Sequence, residues 1–214
     1  MTKEILPREN ISEKTIILDV GCGTGQTSAY IAEKYKCKIT CLDNNEIMLE
    51  KAKKRFKSRN LSIETKHGSV ESLPFGDESF DLILSESVAA FTDVSKTLPE
   101  LRRVLKPNGV LLAIEMVLEE PLPKEELTTI KEFYEVPRIL TVPEWNSLFQ
   151  KANFQQINIE KVNLQFDESD FESATDFSIS EQLDDKLFAI LDQHLQLTEM
   201  YRNIIGFRVF KCCV

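Results

Sequence analysis

The stretch Leu18-Asp-Val-Gly-Cys-Gly-Thr-Gly25 decides the fold. It closes a short β-branched run, Thr15 to Val20 (TIILDV), and leads into Gln26 to Tyr35, which has helical character. A strand that stops at three glycines and restarts as a helix is a βα turn at which a ligand can approach the backbone. Glycine carries no Cβ to obstruct it, and the helix start presents free N–H donors. The spacing Gly21-x-Gly23-x-Gly25 differs from the GxGxxG of dinucleotide folds, whose third glycine comes one residue later, and this argues against a pyrophosphate ligand.

Two acids frame the glycines. Asp19 precedes them, where a positive group is welcome and a phosphate is not. Asp43 stands eighteen residues after Gly25, at the end of a second predicted strand, Lys38 to Asp43 (KITCLD). From such a position a carboxylate accepts both hydroxyls of a ribose. The combination describes a site for a nucleoside with a cationic tail, and S-adenosylmethionine fits that description.

Further along the chain, strand-like runs alternate with helix-like ones, the pattern of a parallel sheet covered on both faces. Glu46 to Arg55 is predicted helical, Leu61 to Lys66 alternates as a strand, and Phe80 to Ser85 (FDLILS) is a fourth strand. A helix from about Val94 to Leu105, with Pro99 near its first turn, stops at the turn signal Lys106-Pro-Asn-Gly109. Val110 to Met116 (VLLAIEM) follows as a fifth strand. The second part is less regular: helices over Lys124 to Tyr134 and from Pro143 to about Ala152, then strands over Ile157 to Leu164 and Ile204 to Cys212. Between those strands lie an acidic, Ser-rich stretch from Asp167 to Ser180 and a helix from about Glu181 to Tyr201, read as an insertion at the sheet edge.

Composition narrows the function classes. With 214 residues, 42% apolar and 29% charged, the chain has the material for an ordinary core and is neither low-complexity nor disordered. The net charge of −9 has a location: Glu160 to Met200 holds eleven acidic residues against two basic ones, and the remainder of the chain balances. Nucleic-acid binding calls for a basic surface. The one basic run, Lys51 to Arg59 (KAKKRFKSR), reads as the solvated face of a helix. Five cysteines with no CxxC spacing, and only two histidines, predict reduced thiols and no metal site. No apolar run reaches the ~20 residues of a membrane helix, and the opening MTKEILPREN lacks the apolar core of a signal peptide, so a cytoplasmic protein is expected.

LDVGCGTG, CLDNN, HGSVESLPFGDESFDLILSES and LPELRRVLKPNGVLLAIE resemble, in order and spacing, the successive motifs of class I S-adenosylmethionine-dependent methyltransferases, small-molecule type, such as the ubiquinone/menaquinone-biosynthesis-like domain. The likeness covers Thr15 to Met116 closely, and the two terminal strands match the family's reversed β-hairpin more loosely. It implies an α/β, Rossmann-like, doubly wound sheet of seven mostly parallel strands with an antiparallel last strand. It also implies a single domain over residues 1–214, with a cofactor-binding half over 1–116 and an acceptor-side half over 117–214 that carries the acidic helical insertion at about 166–201.

Position by position, the resemblance implies that Asp19 and the loop Gly21, Cys22, Gly23, Thr24 and Gly25 hold the amino and carboxylate ends of the methionine, and that Asp43 binds the ribose. Asn44 and Met48 would flank the adenine, with Gly68, Ser69 and Val70 on its other edge. Many members carry Asp where this chain has Ser69, whose hydroxyl can still accept the adenine amine. Ser85 and Glu86 end the strand that faces the sulfonium, which makes Glu86 the candidate catalytic residue, taking the acceptor's proton or orienting it. The reaction expected is in-line methyl transfer to a small-molecule acceptor, with S-adenosylhomocysteine as product and no nucleic-acid or membrane partner.

In the family an N-terminal helical lid and inserts after strands five and six grip the acceptor. Here only fourteen residues, with Pro7 among them, precede Thr15, which departs from the family: either the lid is short or an upstream segment is missing, and the grip is expected from Leu118 to Trp145 and from Phe166 to Tyr201. Trp145, Tyr134 and Phe133 either line that pocket or complete a core. His67 reads as an ordinary strand-end residue, and His194 as packing on the helix with Leu187, Ile190, Leu191 and Leu195. Two other functions compete. A nucleoside-binding scaffold without turnover would need its acceptor pocket closed, and a dinucleotide oxidoreductase would need a different glycine spacing.

Overall fold

The computed structural model describes residues 2–161 and 185–214. Its strands are β1 (Ile16–Val20), β2 (Lys38–Asp43), β3 (Glu64–His67), β4 (Phe80–Glu86), β5 (Leu105–Leu118), β6 (Gln156–Lys161) and β7 (Ile205–Cys213). They form one seven-stranded sheet in the order β3-β2-β1-β4-β5-β7-β6. The first five run parallel, and β7 lies antiparallel between β5 and β6. From β1 the chain winds out to β2 and β3, then returns to place β4 on the other side of β1. The strand order reverses at the β1/β4 boundary, and ligands of doubly wound sheets bind beyond the carboxyl ends of the strands at such a point.

The helices are α1 (Thr2–Ile5), α2 (Gln26–Tyr35), α3 (Glu46–Ser58), α4 (Val94–Val104), α5 (Lys124–Tyr134), α6 (Val142–Lys151) and α7 (Asp185–Met200), with 3-10 turns at Leu6–Arg8 and Ala89–Phe91. Side chains alternate across each strand and so divide between two apolar layers. Leu18, Ile83, Leu111 and Ala113 pack under α4 and α6 with Leu98, Leu101, Trp145 and Phe149. Ile17, Ile39, Leu82, Leu84 and Leu112 pack on the other face with Ala29 and Ile31 of α2 and Ala52 and Phe56 of α3. Ile5 and Leu6 join that second layer, so the N-terminal segment is docked on the body of the fold. Ion pairs of Arg8 with Glu160 (2.5 Å) and Glu9 with Lys211 (2.8 Å) hold it against β6 and β7.

Helix starts follow local chemistry. Asn45 accepts the N–H groups of Ile47 and Met48 to open α3, Asp93 accepts that of Ser95 to open α4, and Thr141 with Glu144 forms a reciprocal capping box on α6. With Asp93 as the cap, Pro99 falls in the second turn of α4 rather than its first.

Two strands depart from their sequence boundaries. The turn expected at Lys106 to Gly109 is instead a bulge inside β5: Phe80 pairs with Leu105 but Leu82 with Val110, and the intervening residues loop out with Asn108 at φ 65°. On the edge strand β3, pairing with β2 begins only at Glu64, opposite Thr40, so Leu61 to Ile63 fall outside it. The Asp167 to Ser180 stretch and the end of the strand expected to reach Leu164 lie outside the described residues. All five cysteines are free thiols, two of them buried. Among the described residues, no helix is long and apolar enough to cross a membrane.

Candidate active site

The glycine loop sits where the β1/β4 reversal opens. Gly21, Gly23 and Gly25 all adopt left-handed φ, at 62°, 53° and 72°. Their reasons for being glycine differ. A Cβ on Gly21 would overlap the Val88 side chain, and one on Gly25 would fall 2.7 Å from Phe56 Cε1. At Gly23 a Cβ would meet nothing within 4 Å, so there only the backbone conformation demands glycine. The loop is pinned from both sides: Gly23 N–H donates to Asp43 Oδ2 (2.8 Å), Cys22 N–H to the Leu42 carbonyl (3.1 Å), and the Arg55 guanidinium to the Thr24 carbonyl.

Asp43 is 7% exposed, and its second oxygen accepts Asn45 N–H at 2.8 Å. Each carboxylate oxygen retains a further acceptor site, which is what a pair of ribose hydroxyls requires. Asp19 lies deeper, 3% exposed, with Ser28 Oγ donating to its Oδ2 at 2.5 Å and Cys41 Sγ donating to Ser28 Oγ at 3.0 Å. Burial pushes the Asp19 carboxyl up to about 7 against the pull of the Ser28 hydroxyl, and the charges of Glu86 and Asp43 add to the rise. Asp43, Glu71 and Glu86 line one pocket, with Asp19 buried beneath it, and this concentration of acids favours a cation.

The far wall is the segment after β4. Glu86, half-buried, accepts a hydrogen bond from Thr2 Oγ1 of α1 at 2.7 Å. Ser87 turns the chain at φ 55°, donating its N–H to the Ile114 carbonyl at 2.7 Å, and the Ala89–Phe91 turn follows. Glu115 of β5 lies beneath this turn, fully buried. It accepts Ala89 N–H (3.0 Å), Ala90 N–H (3.1 Å), Val88 N–H (3.3 Å) and Ser85 Oγ–H (3.3 Å). Burial pushes its carboxyl up to about 7 even though these donors pull it down.

Two cavities meet here. One, of about 310 Å³, is walled by Gly21, Leu42, Asp43, Asn44, Gly68, Ser69 and Val70 on one side and by Glu86, Ser87 and Val88 on the other. The second, of about 700 Å³, lies between the segment Phe91 to Asp93 and α5 with its following loop Glu135 to Arg138. Glu71, Phe91 and Thr92 belong to both. Both volumes suit small ligands.

The structure therefore gathers Gly21, Asp43, Asn44, Gly68, Ser69, Val70 and Glu86 around one cavity. Cys22, Gly23, Thr24 and Gly25 form the loop beside it, and Asp19 lies below. Met48 is half-buried in the first turn of α3. Ser69 Oγ accepts Glu71 N–H at 3.1 Å, and its proton remains available to a ligand. Ser85 is fully buried and gives its hydroxyl to Glu115. His67, exposed at the end of β3, has Nε2 3.1 Å from the Asn44 carbonyl. Trp145 completes the core, its Nε1 donating to the Met116 carbonyl at 3.1 Å. His194 contacts Tyr134 by a 3.0 Å hydrogen bond and an edge-on ring contact, while Ile190 and Leu195 beside it stay exposed. Sequence reasoning missed Ser28, Glu71 and Phe91, and above all Glu115, although an acid inside the apolar run VLLAIEM signals a buried carboxylate in need of partners.

The profile of a family described as a methyltransferase domain matches residues 17–109. The uncharacterized methyltransferase YodH of Bacillus subtilis is 37% identical over 209 residues, which span 98% of this chain and 88% of that one. The glycine/sarcosine/dimethylglycine N-methyltransferase of Actinopolyspora halophila is 30% identical over 157 residues, 72% of this chain but 28% of that longer protein. Phosphoethanolamine N-methyltransferase 2 of Haemonchus contortus, solved with S-adenosyl-L-methionine, superposes with a TM-score of 0.83 at 15% identity, over 99% of this chain and 51% of that one.

Proposed function

From the premise that the chain belongs to the class I S-adenosylmethionine-dependent methyltransferases, we propose that it methylates a small molecule held in the larger cavity, with the cofactor in the smaller one. The observation that carries this reading is the junction of the two cavities at Glu71, Phe91 and Thr92, which lets a donor in the smaller cavity and an acceptor in the larger one meet across shared lining residues. The open second cavity argues against a scaffold without turnover. In this reading residues 1–116 hold the cofactor and residues 117–214 supply the acceptor side, within one catalytic domain.

The residues present fit the cofactor. At Gly23 the Cβ direction opens onto unfilled space beside the loop, and the acids Asp43, Glu71 and Glu86 lining the smaller cavity suit a ligand bearing a sulfonium and an ammonium. When bound, S-adenosylmethionine supplies a methyl group on a positively charged sulfur. Asp43 takes the ribose hydroxyls, Asn44, Gly68, Ser69 and Val70 enclose the adenine, and Asp19, with Ser28 fixing its carboxylate, answers the ammonium through the loop. Glu86, on the wall of the smaller cavity, would hold or remove the proton of an acceptor that reaches in past Glu71, Phe91 and Thr92. Alignment and exclusion of water do most of the work in such a displacement.

Glu71, Asp93, Glu132 and Glu135 outnumber Lys131 and Arg138 around the larger cavity, which favours an acceptor bearing an amine. The test is calorimetric titration with S-adenosylhomocysteine, followed by a screen of small amines, phenols and carboxylates for its release from S-adenosylmethionine. Thr128→Trp, which intrudes into the larger cavity from α5, is expected to abolish turnover and to leave homocysteine-nucleoside affinity unchanged. Equal turnover in this variant would place the acceptor elsewhere.

A further inference from the structure

We infer that Glu115 is a positioning residue for methyl transfer: its carboxylate holds the wall segment Ser85 to Thr92 in the conformation that separates and joins the two cavities. The inference rests on the proposed placement of the cofactor.

The segment does not hold itself. Ser87 adopts a left-handed φ of 55° without being glycine, a conformation that an L side chain disfavours. The Ala89–Phe91 turn is too short to satisfy its own leading N–H groups. No side chain caps it from within the segment. Glu115 supplies the missing acceptors from the neighbouring strand, taking three successive backbone N–H groups and the Ser85 hydroxyl on one carboxylate. Three successive N–H groups converging on an anion form a preorganised nest, here occupied by the protein's own acid. An ionised carboxylate is an acceptor only, which matches four donors and no acceptor around it.

What hangs on this anchor is the site. Val88 closes against Gly21, Glu86 and Ser87 line the cofactor cavity, and Phe91 and Thr92 line both cavities. Glu115 touches neither cavity; it acts through these neighbours. Glu115→Gln keeps size and shape but sets an amide NH₂ against backbone N–H donors, so the turn must move.

The experiment compares S-adenosylhomocysteine affinity in the wild-type chain, in Glu115→Gln, and in Phe149→Leu, a core variant on α6 that lines neither cavity and accepts no hydrogen bond from the segment, with melting followed in parallel. Glu115→Gln is expected to weaken binding by the folded protein about tenfold or more, the worth of one charge-assisted hydrogen bond. It should also speed hydrogen exchange at the Val88, Ala89 and Ala90 amides, while Phe149→Leu lowers the melting temperature and leaves affinity alone. A purely structural role predicts lost stability with unchanged affinity in both variants, and that result overturns the inference. Should Glu115→Gln fail to fold, Ser85→Ala removes one donor only; it is expected to weaken binding a few-fold and to raise exchange at the same amides, and no change in either sinks the inference. A wild-type chain without affinity would overturn the cofactor placement as well, so the two failures are told apart.

Discussion

Thr2 Oγ1 donates to Glu86 Oε2 at 2.7 Å, joining residues 84 positions apart. The contact brings the N-terminal helix to the carboxylate proposed to meet the acceptor, and it fixes that side chain before any ligand arrives. Glu86→Gln retains the Thr2 contact but cannot take a proton. Turnover is expected to fall about 10²-fold, in the range for a lost general base, with S-adenosylhomocysteine affinity within a few-fold of wild type. Initial rates on the acceptor found by screening decide the matter, and an unchanged kcat removes Glu86 from the chemistry.

Asp43 serves the loop and the ligand at once. Asp43→Ala loses the ribose contacts and frees Gly23 N–H. Charge-assisted hydrogen bonds of this kind are worth about 1.5–3 kcal/mol each, so affinity should drop on the order of 100-fold. Calorimetry with S-adenosylhomocysteine reads this directly. A variant that binds normally would show that the nucleoside lies elsewhere.

Asp19 gives the site a pH dependence of definite sign. In the free protein its carboxyl is held up at about 7, mainly by burial, with Glu86 and Asp43 nearby adding to the rise. An ammonium ligand favours the ionised form, so binding releases a proton and affinity for S-adenosylmethionine falls as pH drops below about 7, by at most about tenfold per pH unit. Folding stability runs the other way. The unfolded Asp19 loses its proton near 3.8 and the folded one keeps it to about 7, so this residue makes stability fall as pH rises through that interval. Asp19→Asn is expected to flatten the binding profile, measured by titration at several pH values. A slope that survives the substitution would belong to another group.

The glycines separate two costs. Gly23→Ala carries only the penalty of left-handed φ, about 1–2 kcal/mol. Gly25→Ala carries the same penalty and must also displace Phe56 and Ala52, which adds about 1–3 kcal/mol of overpacking. Chemical denaturation should therefore rank Gly25→Ala clearly below Gly23→Ala, and equal losses would mean that α3 yields to the added methyl group.

The features legible in the sequence are those written in local pattern. α2, β2 and α5 begin and end where their residues predicted, because the glycine loop, β-branched run and helical spacing act over neighbouring positions. The loop and Asp43 were legible because a βα turn needs both within one unit. Other features depend on partners distant in sequence. The β5 bulge arises from register with Phe80, and nothing in Lys106-Pro-Asn-Gly109 distinguishes a turn from a bulge. Glu115 declares its need for partners, but not that they are the N–H groups of Val88 to Ala90. The Thr2 contact leaves no trace in either segment it joins.

The position of β7 has a consequence for the order in which the molecule is made. β5 leaves the ribosome well before Ile205–Cys213, the strand that covers its edge, and among the described residues β6 has no neighbour in the sheet except β7. During synthesis the parallel half can therefore assemble while β5 still presents a long apolar edge, the kind that pairs with other chains. The last strand of the sheet to emerge seals that edge, so translation arrested before Ile205 should yield a nascent chain that holds the nucleoside loop and yet depends on chaperones to stay in solution.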